Sequence, residues 1–334
     1  MTSKIESRAI DRPIVGMIGF GSIASKHIKV LSSLRPSASF HVLSSRHLSE
    51  TTCKADVTFH TTFASLLQNK PNMIVIASAA SQHLIYFQNS VTTGLPILVE
   101  KPIAHTKSDA EKMKQIAQMA KVRPVVGYNI RFSEAFRTVN KILKNRELGK
   151  IFSVHSVVGQ NLETWRPGRN LNTTVSSSRE KGGGVLRELS HEIDYLSTLF
   201  GDITELVGML DRRKFSDFNV EDTALLLMRC RKNDDTIPIS LNMDFTRHDN
   251  ARYCHIVGEA GTLRWDAISG IVSIHAPSGN VEEVYSNSND LEHSSVNMWN
   301  AFIDRDISSF ADVFTSTNLI SWIEYLENKS LKIY

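Results

Sequence analysis

The sequence predicts an α/β protein of two domains: an N-terminal doubly wound parallel sheet, then an α+β domain with a large open antiparallel sheet. Its 334 residues suit about two domains. Up to residue 127, short apolar strands alternate with amphipathic helical patterns, which is typical of a parallel sheet covered by helices on both faces. Later stretches alternate apolar and polar residues, as antiparallel strands do. We expect domains at 1–124 and 125–334.

The individual elements follow from these patterns in chain order. In the first domain we expect strands at 14–18, 40–43, 57–59, 73–77, 96–99 and 122–127, and helices at 23–34, 62–69, 81–93 and 108–120. The second domain opens near Tyr128, with a helix at 133–144 and strands at 151–159, 224–228, 237–245, 251–257, 262–266, 271–275 and 281–285. Apolar runs such as 73–77 suit a sheet that is buried on both faces.

A glycine-rich turn, Gly19-x-Gly21-x-x-Ala24, joins the first strand to the first helix. Gly19 permits the turn, Gly21 lets the main chain approach a pyrophosphate, and the small Ala24 lets the helix pack closely on the strand. The unpaired N–H groups at the helix N-terminus can hold phosphates. A short turn of this kind also occurs without a ligand, but the alternating strands and helices around it favour a dinucleotide site.

The end of the second strand indicates which dinucleotide is preferred. An acidic residue there would accept hydrogen bonds from the ribose of NAD(H), but the chain has Ser44, Ser45 and Arg46, with no acid until Glu50. Arg46 can bind the additional phosphate of NADP(H) in bidentate fashion, whereas a carboxylate would repel it. We therefore predict NADP(H) as the preferred cofactor over NAD(H). The alternative is that Arg46 is a solvated surface charge.

Composition and charge exclude several other classes of protein. The 38 basic and 35 acidic residues alternate in sign along the chain, so neither nucleic acid nor a membrane surface is an expected partner. The cysteines Cys53, Cys230 and Cys254 are too few and too scattered for a disulfide framework or a metal site. We therefore expect no bound metal. The charged N-terminal residues do not resemble a signal peptide, so we expect a cytoplasmic protein.

Three motifs together resemble the glucose-fructose oxidoreductase, inositol dehydrogenase and rhizopine catabolism (Gfo/Idh/MocA) family. They are the glycine turn, Glu100-Lys101-Pro102 after the fifth strand, and the glycine run that leads to Ser190-His191-Glu192-Ile193-Asp194. The resemblance implies a Rossmann domain and a second domain whose open sheet often forms the oligomer contact, hence a homodimer or homotetramer. It also implies NAD(P)-dependent oxidation or reduction of a sugar, polyol or sugar derivative.

Most of the predicted cofactor contacts lie at the carboxyl ends of the strands, where ligands of open α/β sheets bind. Lys101 stands there, and a lysine near a nicotinamide can stabilise charge that develops on a substrate oxygen. A surface lysine in a turn is the alternative. The full expected set is Gly19, Phe20, Gly21, Ser22, Ile23, Ser44, Ser45, Arg46, Ser78, Ala79, His83, Glu100 and Lys101.

The segment from Gly182 to Phe200 holds the predicted proton-transfer residues. We expect one helix from Val185 onward, in which Glu188, His191 and Asp194 follow at intervals of three and so share a face. A histidine oriented by a carboxylate suits general acid/base chemistry on a hydroxyl group. Family members commonly carry Asp four residues before this histidine. Here Arg187 stands there, which leaves Glu188 and Asp194 as alternative partners, and Asp194 as a substrate contact. The alternative reading is an ordinary charged helix surface.

A loop before that segment, 159–168, resembles the Trp-Arg-Pro loop of family members associated with surface-polysaccharide and acidic-sugar biosynthesis. Trp165 can stack on a sugar face, and Arg166 or Arg169 can pair with a carboxylate or phosphate. The expected substrate contacts are Asn129, Trp165, Arg166 and Asp194. A packed surface loop is the alternative.

Two other functions remain open at this point. One is an NAD-dependent glycosidase or lyase of the same fold, and the other is a non-catalytic regulator that binds a dinucleotide. The presence of both Lys101 and His191 argues against a regulator. The sugar, the reacting carbon and the direction of the reaction do not follow from the sequence.

Overall fold

The computed structural model describes residues 12–45 and 55–329, which fall into two compact units. The first unit holds the described residues up to Asn129 together with Ser295–Thr317. The second holds Ile130–Ser294 and the described residues from Asn318 on. The predicted division after residue 124 lies near the end of the first stretch, but the sequence analysis did not anticipate that Ser295–Thr317 belongs to the first unit.

The described residues form fifteen strands and ten α-helices. The strands are β1 (Ile14–Ile18), β2 (Ser39–Leu43), β3 (Asp56–His60), β4 (Met73–Ile76), β5 (Ile97–Val99), β6 (Val125–Val126), β7 (Ile151–Gly159), β8 (Asp202–Asp211), β9 (Thr223–Lys232), β10 (Asp235–Asp244), β11 (Ala251–Gly258), β12 (Gly261–Asp266), β13 (Ile271–His275), β14 (Val281–Ser286) and β15 (Ala311–Asp312). The helices are α1 (Ser22–Leu34), α2 (Phe63–Leu67), α3 (His83–Val91), α4 (Lys107–Ala117), α5 (Glu134–Lys144), α6 (Leu162–Trp165), α7 (Val185–Glu188), α8 (His191–Phe200), α9 (Asp290–Ile303) and α10 (Val313–Lys329). None of the helices in this described part of the chain is both long and apolar enough to cross a bilayer.

The first unit is built on a seven-stranded sheet in the order β15-β6-β5-β4-β1-β2-β3. Strands β1 to β6 pair in parallel, and all four residues of β4 are buried, as a sheet covered on both faces requires. The strand order reverses between β1 and β4, where ligands of doubly wound sheets bind. The predicted fold of this half is confirmed.

The segment that returns to the first unit is held there by strand pairing and aromatic packing. β15 pairs antiparallel with β6 at the edge of the sheet. Trp299 and Phe302 are fully buried, and their rings meet edge to face with centroids 6.0 Å apart. Because these rings need the apolar interior of the first unit, the chain cannot be divided by a single boundary.

The second unit is built on an eight-stranded sheet in the order β14-β13-β12-β11-β7-β10-β9-β8. All neighbouring strands run antiparallel except β7 and β10, which pair in parallel. The prediction of an antiparallel sheet therefore holds with one exception. The long connection from β7 through α6, α7 and α8 to β8 supplies the crossover that a parallel pair requires.

Strand β8 was not anticipated from the sequence. Its pairing with β9 is interrupted by an irregularity between Ile203 and Glu205. Val207 and Met209 stand exposed on it, at 61% and 39% of their surfaces. Exposed apolar residues and a shifted register blur the alternation of apolar and polar residues on which the strand predictions depend.

Candidate active site

The carboxyl ends of the parallel strands bring four predicted segments together at one edge of the first sheet. The N–H group of Gly19 donates to the carbonyl of Leu43, at 2.9 Å, which joins the end of β1 to the end of β2. The N–H group of Ala77 donates to the carbonyl of Ile18, and that of Glu100 to the carbonyl of Ile76, both at 2.8 Å. The chain segments that begin at Gly19, Ser44, Ala77 and Glu100 therefore lie side by side.

The two glycines of the turn have different roles. Gly19 has φ of +95°, and a Cβ atom built there would lie 2.6 Å from the main chain of Ser78, so only glycine fits. A Cβ atom built on Gly21 meets no atom of the described residues within 4 Å, so these residues leave room for a ligand beside its main chain. Ala24 is fully buried, in agreement with its predicted role in close packing of α1.

The N-terminus of α1 fits the phosphates of a dinucleotide. It begins at Ser22, has no side-chain cap within the described part of the chain, and carries no acidic residue in its first turn. By contrast, the hydroxyl groups of Thr62, Thr106 and Ser133 cap α2, α4 and α5. The first-turn N–H groups of α1 and the positive end of its dipole are therefore available to an anion.

The other predicted cofactor residues divide into accessible and buried groups. Those accessible at least in part are Phe20, Gly21, Ser22, Ile23, Ser44, Ser45, Ser78, Ala79 and Lys101, whereas His83 and Glu100 are buried. Arg46, on which the prediction of NADP(H) depends, lies outside the described residues, as does Cys53.

Glu100 is buried and is hydrogen-bonded to two groups of the first unit, one of which is bound in turn by Trp299. Its Oε1 atom lies 2.8 Å from His27 Nε2, and its Oε2 atom accepts a hydrogen bond of 3.0 Å from the main-chain N–H of Lys101. Trp299 Nε1 donates to His27 Nδ1 at 3.1 Å. Burial acts to raise the pKa of Glu100, but the hydrogen bond from His27 and the charge of Lys101 outweigh it and lower the pKa.

His83 connects two of the segments at the same edge. Its Nδ1 atom lies 3.0 Å from the carbonyl oxygen of Ile103, and its Nε2 atom lies 3.1 Å from the carbonyl oxygen of Ser78. Burial lowers the pKa of His83, more than the hydrogen bonds to these carbonyls raise it. The structure thus places His83 beneath the loops that follow β4 and β5, where it links their main chains.

In the second unit, the predicted single helix from Val185 is two helices. α7 ends at Glu188 and α8 begins at His191, with Leu189 and Ser190 between them outside both. The helical spacing that was expected to align Glu188, His191 and Asp194 on one face is therefore interrupted between the first two, and that argument was wrong. At its other end, α7 starts from a constrained turn: Gly184 has φ of +102°, and its built Cβ would lie 2.5 Å from Glu221 Oε1.

Glu188 and the Trp-Arg-Pro loop meet in one cluster. Arg166 Nη2 donates to both carboxylate oxygens of Glu188, at 3.3 and 3.0 Å, and Ser176 Oγ donates at 2.9 Å. The Arg166 guanidinium also lies over the ring of Trp165, 4.9 Å from its centroid, and the Trp165 side chain is part-exposed. The arginine expected to meet a substrate anion thus already binds a carboxylate, and it covers one face of the expected stacking ring.

Asp194 forms a bidentate ion pair. Arg131 Nε and Nη2 donate to its two oxygens at 2.8 and 2.7 Å, and both side chains are largely buried. Burial raises the pKa of Asp194, against the opposing influence of Arg131. Both predicted carboxylate partners of His191 are thus held by arginines, whereas the predicted substrate residue Asn129 is half-buried in a short 3-10 helix, Asn129–Phe132.

Two more buried carboxylates near α7 and α8 are also held by arginines. Arg187 donates to both oxygens of Glu327 at 2.7 and 2.8 Å, and Arg252 Nε donates to Glu192 Oε1 at 2.8 Å. The residue that stands where family members commonly carry Asp is therefore part of a buried ion pair. Among the described residues, no group of three or more His, Cys, Asp or Glu side chains is arranged to hold a metal ion.

Sequence reasoning missed the partners of these groups. His27 interrupts the buried face of α1, and a polar residue on an apolar stripe was a usable signal. Trp299 and Glu327 offered no such signal, because they belong to helices that are far from their partners in the sequence. Arg131, which lies in the segment where the second domain opens, was assigned no role.

Two family models match the chain. One, described as an oxidoreductase family with an NAD-binding Rossmann fold, covers residues 14–128. The other, the Gfo/Idh/MocA C-terminal domain, covers residues 136–264. The chain is therefore an oxidoreductase-family protein with an NAD-binding Rossmann domain. It belongs to the Gfo/Idh/MocA family, as the motifs predicted.

Curated relatives are distant and match parts of the chain. An uncharacterized oxidoreductase of Synechocystis is 28% identical over 62% of this chain and 59% of its own length, so less than two thirds of that relative is matched. An inositol 2-dehydrogenase of Acidothermus cellulolyticus is 26% identical over 76% of this chain and 73% of its own length.

Solved structures share the fold across almost the whole chain. The WlbA dehydrogenase of Bordetella pertussis, in complex with NADH and UDP-GlcNAcA, has a TM-score of 0.77 and 17% identity, and the match covers 95% of each chain. A levoglucosan dehydrogenase in complex with NADH and levoglucosan has a TM-score of 0.80 and 14% identity, covering 95% of this chain and 96% of that one. At these identities the likeness establishes the fold.

Proposed function

We propose that the protein is an NAD(P)-dependent dehydrogenase or reductase, with NADP(H) preferred, that acts on a CH–OH group of a sugar, polyol or sugar derivative. One observation carries the proposal. An uncapped helix N-terminus behind a glycine turn and a half-buried lysine, Lys101, stand at the carboxyl edge of the same parallel sheet. The first suits a dinucleotide phosphate, and the second suits a reacting oxygen.

The bound cofactor would supply the nicotinamide carbon that takes or gives the hydride. Lys101 donates a hydrogen bond to the substrate oxygen and stabilises its developing charge. His191 takes or returns the hydroxyl proton. Glu188 and Asp194 act through their arginine pairs, which fix the end of α7 and the first turn of α8 and so orient His191.

The preference for NADP(H) is supported by the sequence Ser44-Ser45-Arg46 at the end of β2. A charge-assisted hydrogen bond is worth about 1.5–3 kcal/mol, so Arg46→Ala should weaken NADP(H) binding about 10- to 100-fold. NAD(H), which lacks the additional phosphate, should bind the variant unchanged. The control is Lys29→Ala, which removes an exposed cation from α1. Equal or tighter binding of NAD(H) by the unaltered protein would contradict the preference.

A substrate with an acidic or nucleotide-linked group is supported by the loop around Trp165 and by the acidic UDP-sugar bound to the WlbA dehydrogenase. Arg166 and the exposed Arg169 are the cations within that loop. Because Arg166 pairs with Glu188, a substrate anion would have to compete with this carboxylate or use Arg169. A role in polysaccharide or acidic-sugar biosynthesis is part of the proposal.

Self-association through the second sheet is supported by its apolar residues. Val207 and Leu227 are 61% and 62% exposed on neighbouring strands, beside a groove of about 790 Å³ that Leu225 and Met209 also line. Exposed apolar patches of this kind mark contact surfaces. Leu227→Lys should shift a homodimer or homotetramer toward monomer in analytical ultracentrifugation. The matched control is Met119→Lys, at an exposed methionine of the first unit.

The experiment that tests the function is an absorbance screen of the reduced nicotinamide. Free and nucleotide-linked sugars are offered with NADP(H) and with NAD(H), and we expect a stoichiometric absorbance change with at least one of them. Cofactor carried through purification, with substrate cleavage and no net absorbance change, would indicate the glycosidase or lyase. Dinucleotide binding without any turnover would indicate a regulator.

We expect the activity in the cytoplasmic fraction, since the described cysteines, Cys230 and Cys254, are free and buried.

A further inference from the structure

A chain of three buried side chains in the first unit ends at the main chain of Lys101. It runs from Trp299 in α9 through His27 in α1 to Glu100, which directly follows β5. The exposed fractions are 0% for Trp299, 3% for His27 and 6% for Glu100. Three elements that are distant in sequence thus meet through buried polar atoms.

The donors and acceptors in this chain can be assigned. An indole Nε1 atom is only a donor, so His27 Nδ1 must accept its hydrogen bond. The ring proton of a neutral imidazole then resides on Nε2, which donates to Glu100 Oε1. The second oxygen, Oε2, accepts from the N–H of Lys101. The tautomer of His27 is therefore fixed, and each oxygen of Glu100 has a donor.

Stability alone does not account for a buried carboxylate in this position. Apolar residues of the same volume would cost less than a desolvated charge and its hydrogen bonds. The surroundings are also shaped for the charge: a Cβ atom built on Gly127 would lie 3.1 Å from Glu100 Oε1, so a larger residue there would press on the carboxylate. The arrangement fixes the orientation of the peptide that leads into Lys101.

We propose that His27 and Trp299 are positioning residues that act through Glu100 to hold Lys101 where its ammonium group can meet the substrate oxygen. The inference rests on the proposed function, in which Lys101 touches the substrate. It adds that Ser295–Thr317, the segment that returns to the first unit, helps through Trp299 to position Lys101.

The test compares His27→Leu, His27→Gln and Trp299→Phe with the unaltered protein. Leucine removes both hydrogen bonds, and we expect kcat to fall about 10- to 100-fold, with the KM for the sugar nearly unchanged, because small displacements of a reacting group have effects of this size. Glutamine offers one donor and one acceptor, and should restore most of the lost kcat. Trp299→Phe should give an intermediate loss.

Trp265→Phe is the matched control. Trp265 is a fully buried tryptophan of the second unit whose Nε1 atom has no hydrogen-bond partner among the residues that the structure describes. The substitution removes a similar volume from an interior without touching the chain that ends at Lys101. We expect kcat close to that of the unaltered protein, so that a loss in Trp299→Phe but not in Trp265→Phe is assigned to the lost hydrogen bond.

A second readout does not depend on activity or on correct folding of the leucine variant. The ¹⁵N shifts of His27 in the unliganded protein should show the Nε2-protonated tautomer at neutral pH, and Trp299→Phe should release a mixture of tautomers. An Nδ1-protonated ring in the unaltered protein would overturn the inference. So would normal kcat in Trp299→Phe and His27→Leu while Lys101→Ala is inactive. Full activity of Lys101→Ala would instead overturn the proposed function.

Discussion

Glu100 in the first unit is held by different means from four carboxylates near α7 and α8 in the second unit. In the first, Glu100 is bound by neutral donors, the ring N–H of His27 and the main-chain N–H of Lys101. In the second, Asp194 and Glu188 are each bound by an arginine, as are Glu192 and Glu327. The first arrangement leaves a negative charge beside Lys101, and the second leaves each pair neutral.

The two arrangements suit different roles in the site. A local anion with neutral partners can orient and balance the one cation that the chemistry uses, Lys101. Neutral ion pairs around α7 and α8 fix the main chain on both sides of His191 without imposing a net charge on it. The two arrangements should also respond differently when one partner is removed, and the predictions below test this.

The largest effect is expected for Arg131→Met. It leaves the buried carboxylate of Asp194 without its partner, and the loss of one member of such a pair costs about 3–5 kcal/mol in the free energy of unfolding. Glu100→Gln should cost less, about 1–3 kcal/mol, because it leaves hydrogen-bond donors unsatisfied but no buried charge unpaired. Urea unfolding of both variants measures the difference. The double variant Arg131→Met/Asp194→Leu should recover most of the loss, and equal costs for the two single variants would contradict the comparison.

The second prediction concerns Glu221, a carboxyl of the second unit that accepts a hydrogen bond from the N–H of Leu186. Burial raises its pKa from 4.5 to about 7. Because the folded-state pKa exceeds the unfolded one, its favourable contribution is complete below pH 4.5 and is lost as the pH rises through about 7. Relative to Glu221→Gln, the unaltered protein should lose about 3 kcal/mol between pH 4 and pH 8. Urea midpoints at both pH values check this, and a pH-independent difference would contradict it.

A third, smaller effect distinguishes two glycines with positive φ. Gly19→Ala introduces both strain and a clash with Ser78, whereas Gly168→Ala, at φ of +71°, meets no described residue within 4 Å. We expect about 1 kcal/mol for Gly168→Ala and at least twice that for Gly19→Ala. Thermal unfolding measures both, and dinucleotide titration should show a loss only for Gly19→Ala. Equal effects would mean that the close approach to Ser78 does not constrain the turn.

The smallest effects are expected at helix caps, where the two units should not differ. The Thr106 hydroxyl accepts from Asp109 N–H at the start of α4, and the Ser133 hydroxyl accepts from Phe136 N–H at the start of α5. Each alanine substitution should cost about 1 kcal/mol. Similar midpoint shifts in urea would show that the contrast between Glu100 and the arginine-bound carboxylates does not come from a difference in general robustness between the units. A much larger shift in one unit would weaken that conclusion.

Local patterns predicted most of the fold. The strands 14–18, 151–159 and 271–275 match β1, β7 and β13, because periodicity is a property of neighbouring residues. The same reasoning failed for Ser295–Thr317, because the place of this segment in the first unit depends on aromatic packing against residues that are distant in sequence. It also failed at Leu189 and Ser190, because the interruption between α7 and α8 leaves no mark on the apolar stripe.

Like the fold, the candidate site could be predicted from the sequence only in part. The glycine turn and Lys101 could be located from the sequence because strand ends of a parallel sheet share one edge. The partners of Glu188 and Asp194 could not, because Arg166 and Arg131 come from other segments, and ion pairs between distant segments have no sequence period. Arg166 was expected to meet the substrate, and in the structure it binds Glu188.

The most direct test of the central claim is a single-turnover measurement of nicotinamide absorbance. It uses the best sugar from the screen with the unaltered protein, Lys101→Ala and His191→Ala, each shown by titration to bind the dinucleotide normally. We predict that both variants bind cofactor but transfer hydride at least about 100-fold more slowly, the size typical of a lost proton-transfer or charge-stabilising group. Hydride transfer at near-normal rates in both variants would contradict the account.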